Sequence, residues 1–155
     1  MMTTKLGDML HPSCIELNLS EKKKPEILRK LVRMVSQSVD IRDPDAIFEA
    51  LMERERISST GIGNGIAIPH CLTPQVDSTH IAFARKLGGA KFDSVDNQPV
   101  ALFFLLVGPE GNPNLHLKAL SKLARYLHDG SFCDVLMGAG SPEEVIEAFA
   151  SKERL

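Results

Sequence analysis

The chain has 155 residues, 43% of them apolar and 25% charged, which fits one ordinary globular domain and argues against extended disorder. The formal net charge is −2 and the longest basic run is Lys22-Lys23-Lys24, so a nucleic-acid footprint is not expected and the triplet reads as a solvated helix face. Three cysteines, Cys14, Cys71 and Cys133, are widely spaced without a CxxC pair, which predicts reduced thiols in a cytoplasmic protein.

Met1 to Asp8 lacks the apolar core of a signal peptide, and the longest apolar run, Val100 to Val107, is too short to span a bilayer. No membrane insertion is expected. The first helix is predicted over Ser20 to Val39, where Ile27, Leu28, Leu31, Val32 and Val35 recur at helical spacing and Pro25 is tolerable only in an early turn. Asp43-Pro44 reads as an N-cap with proline at the first helical position, opening a second helix through Ile47 and Leu51 to Glu53-Arg54-Glu55-Arg56. Ser58 to Gly65 reads as a glycine-rich loop, and Ile66-Ala67-Ile68 as a short extended segment, since Pro69 bars Ile68 from helical angles.

Ile81 to Leu87 alternates like a strand, and unbroken apolar Val100 to Val107 reads as a strand covered on both faces. Asp93 and Asp96 lie in a turn ending at Pro99, a turn-forming pair in preference to a catalytic one. Asn112-Pro113 opens a third helix to about His128, closed by Gly130. A short helix is predicted over Cys133 to Met137, and Ser141-Pro142-Glu143-Glu144 caps a last helix through Phe149. The fold class that follows is α/β: one domain over residues 10–150, a mixed β-sheet flanked by helices, with short flexible ends.

The chemistry concentrates in Ser59-Thr60-Gly61-Ile62-Gly63-Asn64-Gly65-Ile66-Ala67-Ile68-Pro69-His70. Gly61, Gly63 and Gly65 form a loop whose backbone N–H groups can approach an anion, although a purely structural turn fits as well. Neither the dinucleotide fingerprint nor a Walker loop is present. His70 follows a stiff Ile-Pro unit. A neutral imidazole there can attack phosphorus through one ring nitrogen, provided the other keeps its proton against a fixed acceptor. His116 falls in the first turn of the third helix, either beside a phosphoryl group or as a half-buried cap histidine. Arg54 is a candidate phosphate clamp or part of a solvated helix end paired with Glu53 and Glu55. Ser59 and Thr60 offer hydroxyls to phosphate or cap the loop.

Cys71 adjoins His70 but points to the opposite face of an extended chain, a poor nucleophile–base pair. His11, His80 and His128 have no partners at ligand spacing, so no metal site is expected, and no GxSxG elbow appears.

Thr60-Gly61-Ile62-Gly63-Asn64-Gly65-Ile66-Ala67-Ile68-Pro69-His70 resembles the active-site signature of the enzyme IIA family of the phosphotransferase system, fructose–mannitol class. Its wording is similar to the nitrogen-regulatory branch. The likeness continues in Phe92 to Val100 and in His116 to Ala124, and it covers roughly Leu10 to Phe149. The resemblance implies a mixed sheet with helices on both sides. It puts the phosphorylated histidine at His70, a second active-site histidine at His116, and the family's arginine at Arg54. It further implies a histidine phosphocarrier protein (HPr- or NPr-like) as donor and no cofactor. The recipients it implies are regulatory target proteins or, in sugar-specific members, a IIB component. Cys71 stands where the family commonly has glycine, and Ala101 where the branch often carries an acidic residue. Two competing readings are a sugar-specific IIA and a non-catalytic anion- or protein-binding regulator. Because the chain ends just after the last helix, a stand-alone regulatory module is expected.

Overall fold

A computed structural model describes residues 5–154. Met1 to Thr4 and Leu155, within the ends expected to be flexible, lie outside the described residues. After a 3-10 turn at Leu6–Asp8, the chain forms β1 (Leu10–Glu16), α1 (Lys24–Ser38) and α2 (Pro44–Ile57). Short strands β2 (Gly61–Gly63), β3 (Ile66–Ala67) and β4 (His70–Thr73) follow, then long strands β5 (His80–Ala90) and β6 (Val100–Pro109). Helices α3 (Pro113–Leu127), α4 (Gly130–Gly138) and α5 (Pro142–Glu153) complete it.

The six strands form one mixed sheet in the order β1-β5-β6-β3-β2, with β4 also paired to β6. β6 runs antiparallel to β5 and parallel to both β3 and β4. Its side chains divide the interior. Leu102, Phe104 and Leu106 enter a core with residues of α3, α4 and α5; Phe103, Leu105 and Val107 enter a second core with α1 and α2. A strand with helices on both faces has no solvated side, hence the unbroken apolar run.

Several boundaries differ from the sequence expectation. Helix α1 starts at Lys24, so that Pro25 falls in the first turn, where a missing N–H costs no hydrogen bond. The glycine-rich stretch is a β-hairpin, not a loop: Asn64 (φ 57°) and Gly65 (φ 79°) occupy the two central positions of a tight turn between β2 and β3. Asn-Gly is the usual sequence for such a turn, because both residues must adopt positive φ. Gly130 does not close α3. It begins α4, capped by the Asp129 carboxylate, which accepts from the Ser131 amide.

Strands β1 and β4 escaped the pattern. β1 is an edge strand carrying His11, Pro12 and Ser13, and it buries only Leu10 and Cys14, so no alternation appears. β4 has four residues, too few for a periodicity.

The ends are tied to one another. The Leu6 and Gly7 amides donate to the Glu153 carboxylate at 3.1 and 3.0 Å, and Lys122 bridges the same carboxylate at 2.9 Å. Arg85 is 6% exposed and donates to the carbonyls of Leu17, Leu136, Met137 and Ala139. Three of those carbonyls close the C-terminal end of α4, where helix carbonyls lack intrahelical partners and a cation is favoured. Among the described residues, no helix is long and apolar enough to cross a membrane.

Candidate active site

His70 opens β4, placed by a parallel ladder with β6 in which it sits opposite Leu106. Pro69 cannot donate, but its carbonyl accepts from the Leu106 amide at 3.0 Å, locking the residue before the histidine to the sheet centre. The His70 Nδ1 lies 2.7 Å from the Ile68 carbonyl oxygen. A carbonyl can only accept, so Nδ1 carries the proton and Nε2 keeps its lone pair.

His116 lies in the first turn of α3, after the Asn112 cap, whose side chain accepts from the Leu115 amide. Its ring is 6.1 Å from that of His70, tilted by 44°. It is only 7% exposed, and its Nδ1 has no hydrogen-bond partner. Burial pushes its pKa down, and charge on His70 pushes in the same direction. Both effects favour the neutral ring beside His70.

The structure thus brings His70 and His116 together and gives the remaining candidates other contacts. The Arg54 guanidinium donates to the Ser58 carbonyl at 2.9 Å, at the end of its own helix. Neither flanking carboxylate takes it: Glu53 pairs with Arg56 and Glu55 with Lys24. The Ser59 hydroxyl donates to the Phe92 carbonyl at 2.9 Å and accepts from the Gly61 amide at 3.0 Å. Buried Thr60 gives both its amide and its hydroxyl to Glu55. Gly61 lies against Ser94, where a Cβ would come within 2.9 Å of backbone, and Gly63 ends β2. The Asn64 amide goes to Asp96. The hairpin's polar groups are thus used largely to brace the segment leading to His70.

Sequence reasoning missed Glu55, Lys24, Thr79 and Gly108. Lys24 and Glu55 sit in charge runs that look solvated in the sequence, yet their side chains are 15% and 3% exposed and pair at 2.9 Å. A second carboxylate oxygen on Asp93 lies 3.5 Å from the same ammonium. Asp93 and Asp96 behave as turn formers: Asp93 has φ 53°, and Asp96 accepts from the Asn64 and Gln98 amides, which lowers its pKa. The Cys71 thiol packs against the α1–α2 core, and burial pushes its pKa up to about 12. Among the described residues, no three His, Cys, Asp or Glu side chains gather as a metal site.

Comparisons with known proteins show the family. A family model described as the phosphoenolpyruvate-dependent sugar phosphotransferase system, EIIA 2, matches residues 8–152. The chain belongs to this family. It is 33% identical over 152 residues to the nitrogen regulatory protein of Escherichia coli (strain K12), covering 97% of this chain and 93% of that protein. It is 37% identical over 143 residues to the fructose-specific EIIABC component of Bacillus subtilis (strain 168). That match covers 92% of this chain but spans only 22% of the Bacillus protein. Nitrogen regulatory protein IIA-Ntr from Neisseria meningitidis superposes with a TM-score of 0.86 at 34% identity, covering 92% of this chain and 97% of that one. The mannitol IIA of Escherichia coli shares the fold, with a TM-score of 0.76 at 22% identity over 90% of this chain and 97% of that one. The family is that of phosphotransferase IIA phosphocarriers, and nitrogen regulatory proteins are among this chain's relatives.

Proposed function

We propose that the protein accepts a phosphoryl group on Nε2 of His70 from a phosphorylated histidine phosphocarrier protein and serves as a nitrogen-type regulatory IIA. The observation that carries this reading is the 2.7 Å contact between His70 Nδ1 and the Ile68 carbonyl. It holds the ring in one tautomer and aims an unprotonated Nε2 outward from a fixed strand. In the transfer, the His70 Nε2 lone pair forms the new N–P bond as the donor imidazole's N–P bond breaks and takes back its electron pair. The proton stays on Nδ1 throughout, donated to the Ile68 carbonyl oxygen. A nitrogen is exchanged for a nitrogen, so the step is nearly balanced and reversible. Phosphoryl transfer of this kind needs positioning and charge stabilisation above all. The neutral His116 ring beside His70 is suited to donate to a phosphoryl oxygen. No cofactor is required, because the donor protein supplies the group.

Exposed Leu72, two residues after His70, and exposed Leu117, next to His116, supply apolar surface on which a donor protein can dock. The regulatory reading is favoured over a sugar-specific one by similarity along 93% of a nitrogen regulatory protein. Passage of the group to a IIB component remains the second reading, supported by the fructose-specific relative. Intact mass after incubation with a phosphorylated carrier, before and after mild acid, tests the first step. One acid-labile phosphoryl adduct, absent in His70→Ala, is expected; no adduct with several competent carriers would overturn the proposal. Offering the loaded protein to IIB components then separates the two readings, since rapid loss of the adduct to one of them favours the sugar-specific role.

A further inference from the structure

β6 ends in a feature that none of the candidate residues explains. The Gly108 Cα faces two buried polar atoms at once: a Cβ built there would lie 2.8 Å from His116 Nδ1 and 3.3 Å from the Thr79 hydroxyl oxygen. Both atoms lack a hydrogen-bond partner. Their residues are 7% and 6% exposed, so water does not freely satisfy either. Buried polar groups are seldom left unpaired, because desolvation is then uncompensated. The sheet register explains the meeting. His80 pairs with Val107, so Thr79, one residue before the strand, falls opposite Gly108; on the other side of β6, Gly108 pairs with Leu72, two residues past His70. Only a residue without a side chain at position 108 lets the threonine and the histidine share this space.

We propose that Thr79 is a positioning residue whose hydroxyl donates to His116 Nδ1, fixing His116 as the Nε2–H tautomer. The two atoms are not bonded as they stand, so the bond closes by rotation of the threonine or of the ring beside the Gly108 Cα. The polarity follows from what His116 must present. Phosphoryl oxygens only accept, so the ring edge that meets them has to carry the proton, which leaves Nδ1 as an acceptor in need of a donor. A threonine hydroxyl supplies that donor. The two histidines then hold opposite tautomers: His70 carries its proton on Nδ1 and attacks with Nε2, while His116 carries its proton on Nε2. This assignment rests on the reading of His70 as the phosphoryl acceptor, but its first readout does not.

The test is the imidazole nitrogen spectrum of the full chain, with Thr79→Val and Thr79→Ser compared with the parent. The expected result is an unprotonated, hydrogen-bonded Nδ1 and a protonated Nε2 on His116 in the parent and in Thr79→Ser. In Thr79→Val the ring should move to a mixture of tautomers. The rate of phosphoryl uptake should fall about five- to tenfold in Thr79→Val, as for loss of one neutral hydrogen bond, and return to within about twofold in Thr79→Ser. A proton on Nδ1 of His116 in the parent protein overturns the proposal even if no variant folds. So do nitrogen shifts that are identical in the parent and in Thr79→Val. If neither the parent nor a variant takes up phosphate but the tautomer shifts as expected, the phosphocarrier reading fails and the positioning contact stands.

Discussion

Glu55 holds Thr60 twice, taking the amide at 3.1 Å and the hydroxyl as well, and so fastens the last turn of α2 to the residue just before the glycine hairpin. The same carboxylate is paired with Lys24 of α1. Two helices and the segment leading to His70 therefore meet at one buried carboxylate.

Replacing Glu55 by alanine should lower stability by about 2–4 kcal/mol, because the buried Thr60 amide and hydroxyl lose their acceptor and Lys24 keeps only the exposed Asp93 carboxylate at 3.5 Å. Urea unfolding measures this. A loss below about 0.5 kcal/mol would mean that the contact is no stronger than a surface pair.

Arg85→Leu should cost a similar amount, about 2–4 kcal/mol, by stripping the donors from carbonyls at the end of α4. Arg85→Lys should recover only part of it, since an ammonium cannot reproduce the fork that spans Leu17 on one side and Ala139 on the other. Hydrogen exchange of α4 amides, read beside denaturation, locates the damage.

Acid should destabilise the protein before its carboxylates protonate. Burial, and then the charge of His70, depresses the His116 pKa; burial, and then the charge of His11, depresses that of His80. As pH falls through the ordinary imidazole range, near 6.5, the unfolded chain binds protons that the folded protein refuses. Stability is therefore greatest above that range and declines below it, levelling off under the folded pKa values. Thermal melts from pH 8 to pH 5 should show the decline, and His80→Gln with His116→Gln should flatten it. A double variant with the parent slope would refute the assignment.

Native Cys71 should resist alkylation. Its thiol is pushed from 9.0 to about 12 by burial, so the reactive thiolate is about a thousandfold scarcer than for an ordinary cysteine at the same pH. Mass spectrometry after timed iodoacetamide labelling at pH 8, native against urea-unfolded, measures the contrast. Equal rates would mean that the site is open.

The central strand, the capped helices and the pair His70 and His116 could be read from the sequence because each depends on local rules. Val100 to Val107 is apolar without interruption because both of its faces are covered. Asn112 and Ser141 cap the helices that follow them, as their positions before proline indicate. What escaped depends on contacts distant in sequence. Lys24 and Glu55, 31 positions apart, look like solvated charges until the fold brings them to 2.9 Å. Thr79 and Gly108 carry no motif; only the β5–β6 register places them beside His116. The Asn64-Gly65 turn was legible, and was obscured because neighbouring glycines suggested an open anion loop in place of a hairpin.

The Glu153 carboxylate that receives the Leu6 and Gly7 amides brings the first and last elements of the described fold to a single spot. A fold with adjoining entry and exit can be spliced into another polypeptide, or have its order of segments cyclically rearranged, without pulling its sheet apart. A circular permutant joined through a short flexible bridge there and reopened at an exposed turn should retain the native tertiary signature.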